Sequence, residues 1–424
     1  MSWRRKTKYL VQTIVYLLVF MYYLGPATAP LNDPKARVRA FTRATEFDYV
    51  EWTIDALGEK VERLPLNTVD YLDRDSQCQT VLDYIHLIGQ IQQAEGELNL
   101  IYTNPEIDEP EVQAAPVRDR LETLYRQRED LDPLAESVLQ EMIGYIVDQL
   151  GFTPAGQPIP PVMYHSTPLP WALIVSPRDR IEQEANISLE TALTVEDHIV
   201  LENQIAEALD VSTLVVPVGG VGTYPTMVAQ TTNLNWLAEV VAHEWIHNYL
   251  TLRPLGMRYN ETPELRTINE TTANLAGDEI GAALIAEFFP ELVPPPPVVE
   301  TETPEPAAPP EPVGFDFRAE MYETRIQVDA LLADGKIEEA EEYMEQRRLV
   351  FWENGYRIRK LNQAYFAFHG AYADQPQGSA GEDPVGAAVR QLRAQSRSLI
   401  DFIDAISTIK SFNQLQTLLH EAET

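Results

Sequence analysis

His243 and His247 stand four residues apart in the stretch LAEVVAHEWIHNYL at 237–250, with Glu244 directly after the first. In an α-helix, residues four apart lie one above the other on a single face, so the two imidazoles can share one metal ion. Glu244 is one step round the helix, within reach of a water on that ion, and can serve as its general base. The chain holds only seven histidines, which makes a chance HExxH improbable. Val240, Val241, Ala242, Trp245, Ile246 and Tyr249 are uncharged, as a buried helix requires, and no Pro or Gly interrupts the stretch. Asn233 or Asn235 can cap its start. The plainer alternative is a core helix with two hydrogen-bonded histidines, in which the HExxH spacing would serve no purpose.

A catalytic zinc site takes three protein ligands and leaves a fourth position for water. The next histidine is His369, and Leu250 and Arg253 stand where the longer HExxHxxGxxH pattern needs Gly and His. The third ligand is then a carboxylate. Glu270, in TINETTANLAG at 267–277, shares a helical face with Ala273, Asn274 and Gly277. Small residues on that face let its helix press against the HEWIH helix, and Asn274, one turn on, can hydrogen-bond a metal-bound imidazole. Glu261, Glu264, Asp278 and Glu279 are the alternatives. The affinity order of divalent ions does not favour zinc uniquely, so another divalent ion stays open.

HExxH followed by NExxA on a second helix resembles the gluzincin metallopeptidases. More narrowly, HEWIHNYL, TINETTANLAG and LNQAYFAFHGAYAD (361–374) look like blocks of a bacterial family of predicted aminopeptidases. The three blocks cover a small part of the chain, and Asn274 departs from the Asp that many gluzincins carry there. The resemblance implies a zincin-like catalytic domain that hydrolyses peptide bonds with Zn2+. It does not by itself make an aminopeptidase, since gripping a free amino terminus needs carboxylates that the sequence does not single out.

The elements around these blocks read as an α+β chain, mostly α. Residues 36–151 are helical in pattern, with Phe47, Val50, Ile54, Leu57 and Val61 at helical spacing and Tyr84, Ile85, Ile88 and Ile91 likewise. They are expected to pack between a membrane and the catalytic domain. The catalytic domain is expected over 152–290. Trp171 to Val175 and Leu214 to Val218 read as strands, and 194–209 as a helix opening on a capping box. The stretch 224–228 reads as a bent edge strand suited to pairing with an extended substrate, or else as an irregular loop. Residues 291–314 are a Pro- and Glu-rich linker that cannot bury a core. Residues 315–424 are helical again, with one amphipathic helix expected over 392–419. A hydrolase of this kind gains from a donor aimed at the oxyanion, and Tyr365, His369 and Tyr372 are candidates, with core aromatics as the alternative.

Residues 9–25 are almost wholly apolar and follow Arg4, Arg5, Lys6 and Lys8. They read as an uncleaved single-pass anchor with the catalytic domain outside the cytoplasm, although Ala27-Thr28-Ala29 resembles a signal-peptidase site. A net charge of −33 argues against nucleic acid as a partner. The single Cys78 excludes an internal disulfide framework and a cysteine-based metal site. The expected function is a zinc peptidase acting on a peptide or protein substrate. The alternatives are a non-catalytic envelope scaffold with a structural metal site, against which Glu244 argues, and a metal hydrolase of non-peptide bonds. Nothing in the sequence sets an oligomeric state.

Overall fold

The computed structural model describes residues 33–63, 68–103, 109–153, 156–295, 315–369 and 384–422. It is α+β and mostly helical. Among the described residues the first elements are the helices α1 (Pro34–Thr42), α2 (Tyr49–Arg63), α3 (Arg74–Thr103) and α4 (Pro110–Gln149). Strands β1 (Tyr164–Ser166), β2 (Trp171–Pro177) and β3 (Ala185–Leu189) follow, then α5 (Val195–Leu209) and strands β4 (Val211–Val216), β5 (Gly220–Val221) and β6 (Thr226–Val228). Helices α6 (Leu234–Leu250), α7 (Pro254–Met257) and α8 (Pro263–Phe288) carry the histidine and NETTAN blocks. Six more follow among the described residues: α9 (Phe317–Ala333), α10 (Ile337–Glu353), α11 (Gln363–His369), α12 (Pro384–Gln395), α13 (Leu399–Ile406) and α14 (Phe412–Ala422).

The larger sheet is antiparallel in the order β3-β2-β4. Leu173 and Val175 point to one face and pack with Ile187, Val215 and the buried side of α5. Ala172 and Ile174 point to the other, where Leu214, Val216 and α9 to α11 cover them. A sheet covered on both faces has no polar side, which is why β2 reads as the unbroken apolar run Trp171 to Val175. The smaller sheet has the order β1-β6-β5, with β1 and β6 parallel. The stretch at 224–228 expected at an edge is thus corrected: β6 is the central strand, and β1 and β5 are the edges.

The main core is built on α6 and α8. Ala238, Val241, Ala242, Ile246 and Leu250 of α6 meet Ile268, Ala273, Ala276 and Ile280 of α8, with Leu139, Ile143 and Val147 of α4 joining from one side. Each large apolar side chain buried this way contributes about 1.5–3 kcal/mol. Helix α6 starts where Asn233 caps it, its side chain accepting from Trp236 N–H at 3.2 Å. Thr262 caps α8 in the same way, with Pro263 supplying the preset φ of a first helical position.

Several expectations change. The single-pass reading is not borne out among the described residues, where no helix is long and apolar enough to cross a membrane; the stretch 9–25 that carried it lies outside them. In α2 the expected apolar stripe is not the buried one, since Val50 and Ile54 are 70% and 64% exposed. The helix is phased instead by its polar ends. Tyr49 Oη donates to Ser188 Oγ at 2.7 Å, and Lys60 pairs with the buried Glu136, turning Ala56 inward. The single helix expected over 392–419 is three, because Ser398 caps a new start by accepting from Asp401 N–H and the chain breaks again before Phe412. From residue 296 the linker lies outside the described residues, as does Tyr372.

Candidate metal centre and its cavity

Helices α6 and α8 approach so closely that a side chain would not fit between them. A Cβ on Gly277 would stand 2.9 Å from Glu239 O and 3.1 Å from His243 N, and one on Gly281 would stand 2.9 Å from Glu239 N. The small-residue face of TINETTANLAG thus sets the helix separation, and the separation brings Glu270 up to the two histidines. His243 Nε2 and His247 Nε2 are 3.0 Å apart. Glu270 Oε2 lies 3.7 Å from the first and 3.4 Å from the second. Zinc bonds of about 2.0–2.1 Å at tetrahedral angles put ligand atoms about 3.3 Å apart, and the three separations bracket that value.

The polar surroundings point the same way. His247 Nδ1 lies 2.8 Å from Asn269 Oδ1, a carbonyl that can only accept, so a proton sits on Nδ1 and Nε2 is the nitrogen whose lone pair a metal would take once its own proton is displaced. Asn274 hydrogen-bonds the imidazole of His243, while its own Nδ2 is buried without a partner. Glu270 takes the hydroxyl of Tyr259 on Oε1, yet its Oε2 is buried and accepts no hydrogen bond. Two inward-facing Nε2 atoms and a buried carboxylate oxygen without a hydrogen-bond partner are costly unless a cation, whether a proton or a metal ion, sits among them. His243, His247 and Glu270 form a group able to hold a metal ion.

The charges respond to one another. Burial pushes Glu270 up, but the neighbouring His247 outweighs it and leaves the carboxyl at about 2. Burial lowers His247, and Glu270 more than reverses this, holding it at about 9. His243, buried and next to charged His247, is pushed down to about 3. Glu244 is pushed up to about 7 by burial, with His247 acting against the shift. The trio thus holds a proton where a metal would sit, and the fourth group is a carboxyl balanced near neutrality.

A cavity of about 290 Å³ opens over these residues. The strip 218–222 forms one wall, with Val218, Gly220, Val221 and Gly222 lining it. A Cβ on Gly220 would stand 2.6 Å from Glu244 Oε1, so only glycine lets this backbone lie against the carboxyl. Ala229 N–H donates to Gly219 O at 3.2 Å. In an antiparallel ladder that places the facing pair Gly220 and Val228 at a non-hydrogen-bonded site, so the N–H and C=O of Gly220 point away from β6. Both edges of the larger sheet are covered. Phe47 N–H donates to Ser188 O at 3.0 Å on β3, and on β4 Glu202 Oε1 takes Val215 N–H at 2.6 Å while Arg359 donates to Val215 O at 3.2 Å.

No family model, curated protein or solved structure matches the chain.

His243, Glu244, His247 and Glu270 all line the cavity. His369 does not. Its ring packs 4.2 Å from that of Tyr365 and against Phe368, and burial pushes it down to about 4. The expected role of His369 as an oxyanion donor thus finds no support in the cavity lining among the described residues. Of the alternatives for the third ligand, Glu261 and Glu279 are committed elsewhere, to Arg258 and Arg393. Sequence reasoning missed Asn269, although it directly precedes Glu270. It also missed Tyr259, Gly220 and Tyr49, the last of which lines the cavity from the start of α2.

Proposed function

We propose that this chain is a zinc-dependent hydrolase of peptide bonds, with a catalytic domain of zincin type over 152–290. The observation that carries the reading is the convergence of two imidazoles and one unpartnered buried carboxylate oxygen beside a second carboxyl, Glu244, at the floor of an open cavity. His243, His247 and Glu270 would hold the ion. Bound there, zinc supplies Lewis acidity, lowering the pKa of water and polarising a carbonyl. Asn269 and Asn274 fix the two imidazoles so that their Nε2 atoms face inward, and Tyr259 fixes the carboxylate. Glu244 removes a proton from the attacking water and delivers it to the leaving amine. Its buried position, with the carboxyl at about 7, suits both halves of that transfer. Gly220 offers an N–H and a C=O to an extended substrate lying beside Glu244.

Glu244→Gln tests this reading. It keeps the shape and the ligands while removing the base. The variant should retain its zinc and lose about 10²- to 10⁴-fold in kcat/KM on peptides. Undiminished hydrolysis would remove Glu244 from the mechanism.

A further inference from the structure

The cavity has a charge pattern that bears on which part of a peptide it takes. Among the described residues that line it, the charged side chains are Glu244 and the metal trio, all of them already engaged. The remaining walls are aromatic, aliphatic, amide, hydroxyl or glycine: Tyr49, Trp171, Tyr259 and Phe368 supply rings, and Asn186 and Ser188 supply neutral polar groups. A free α-carboxylate brought into such walls loses its hydration with no opposite charge to replace it, and a free α-ammonium meets only the carboxylates already assigned to the metal and to proton transfer. A blocked, interior peptide unit loses far less, and its side chain gains from the rings.

The backbone strip adds a second, independent constraint. Val218, Gly220, Val221 and Gly222 line one side of the cavity, and Gly220–Val221 among them is the extended edge strand β5. The Glu244 carboxylate lies against the middle of that strip, since a Cβ on Gly220 would meet Oε1 at 2.6 Å and one on Gly222 would meet Oε2 at 3.3 Å. A substrate running along the strip therefore extends to both sides of the bond being cut, rather than ending at it.

Resting on the peptidase reading above, we propose that the site takes an uncharged interior segment of an extended peptide, with a large apolar or aromatic side chain against the aromatic wall next to the scissile bond. The chain is then an endopeptidase rather than an aminopeptidase. Water adds across the C–N bond, its hydroxyl going to the acyl carbon and its proton to the leaving nitrogen.

The test uses the full chain loaded with zinc and three probes. The first is an internally quenched peptide with an acetylated amino terminus, an amidated carboxyl terminus and a central Phe. The second is the same peptide with a free amine. The third is leucine p-nitroanilide. The expected result is interior cleavage next to Phe, located by mass spectrometry, with acetylation changing kcat/KM by less than about tenfold. Loss of more than about tenfold on acetylation, or removal of residues one at a time from an end, would overturn the proposal while leaving the peptidase reading in place. A zinc-loaded chain that turns over none of the three would overturn both.

Discussion

Gly220→Ala places a single methyl group against the proposed base and touches none of the metal ligands. The new Cβ would lie 2.6 Å from Glu244 Oε1, 2.8 Å from its Cγ and 3.0 Å from its Cδ. Ordinary van der Waals contact needs about 3.4 Å or more, so the carboxyl must move by about 0.8 Å. Glu244 is only 7% exposed, so it has little room to turn away without disturbing its neighbours. A displacement of about 1 Å at a catalytic group costs about 10²-fold in rate. Overpacking costs about 1–3 kcal/mol of stability, partly offset by the lower chain entropy of Ala in the unfolded state. The assay is kcat/KM on a peptide substrate, with zinc content and Tm measured on the same preparation. The expected outcome is zinc unchanged, Tm lowered by a few degrees and kcat/KM down by about 10²-fold. Full activity in a folded, zinc-loaded variant would show that Glu244 does not need this position, and the assignment of the base would fall with it.

Gly277→Ala should act on the metal instead. Its Cβ would meet backbone, Glu239 O at 2.9 Å and His243 N at 3.1 Å, so α6 and α8 must part; the expected result is a loss of about 1–3 kcal/mol in chemical denaturation together with weaker zinc binding in competition with a chelator. Proton release gives a further check. At pH 8 the metal-free trio carries one proton, on His247 at about 9, while His243 at about 3 and Glu270 at about 2 carry none. A metal must displace that proton, so about one proton should be released per zinc at pH 8, and affinity should fall about tenfold per unit as pH drops below 9. The stability of the metal-free protein should run the other way. A histidine raised above its ordinary 6.5 stabilises the fold below that pH, and the stabilisation is lost as pH rises through about 9, so Tm in chelator should fall over that window.

The metal trio was legible because its signal is local and periodic. Two histidines one turn apart, and a glutamate on a helix face made of Ala273, Asn274 and Gly277, carry their geometry in their spacing. The strands β2 and β4 were legible for a similar reason, as apolar runs too short for buried helices. What surrounds the trio was not. Tyr49 reaches the cavity from almost two hundred residues upstream, tied down by a hydroxyl bond to Ser188 that no pattern records. Gly220 belongs to no periodic pattern, and its role appears only when Glu244 is seen against it. In α2 the apolar periodicity misled, because Val50 and Ile54 lost the contest for the inner face to Tyr49 and Lys60, whose polar partners fix the helix phase. His369 was credited to the site for its residue type, and its ring packs instead beside Tyr365 and Phe368 at the end of α11.

The central claim is that His243, His247 and Glu270 bind one catalytic metal. It is tested most directly by measuring the zinc content of the purified protein alongside Glu270→Ala, after both have been offered zinc and dialysed. The account predicts about one zinc per chain in the wild type and its loss, or a great weakening, in the variant. Zinc held equally by both would contradict the assigned ligand, and a wild type that binds none would contradict the metal centre itself.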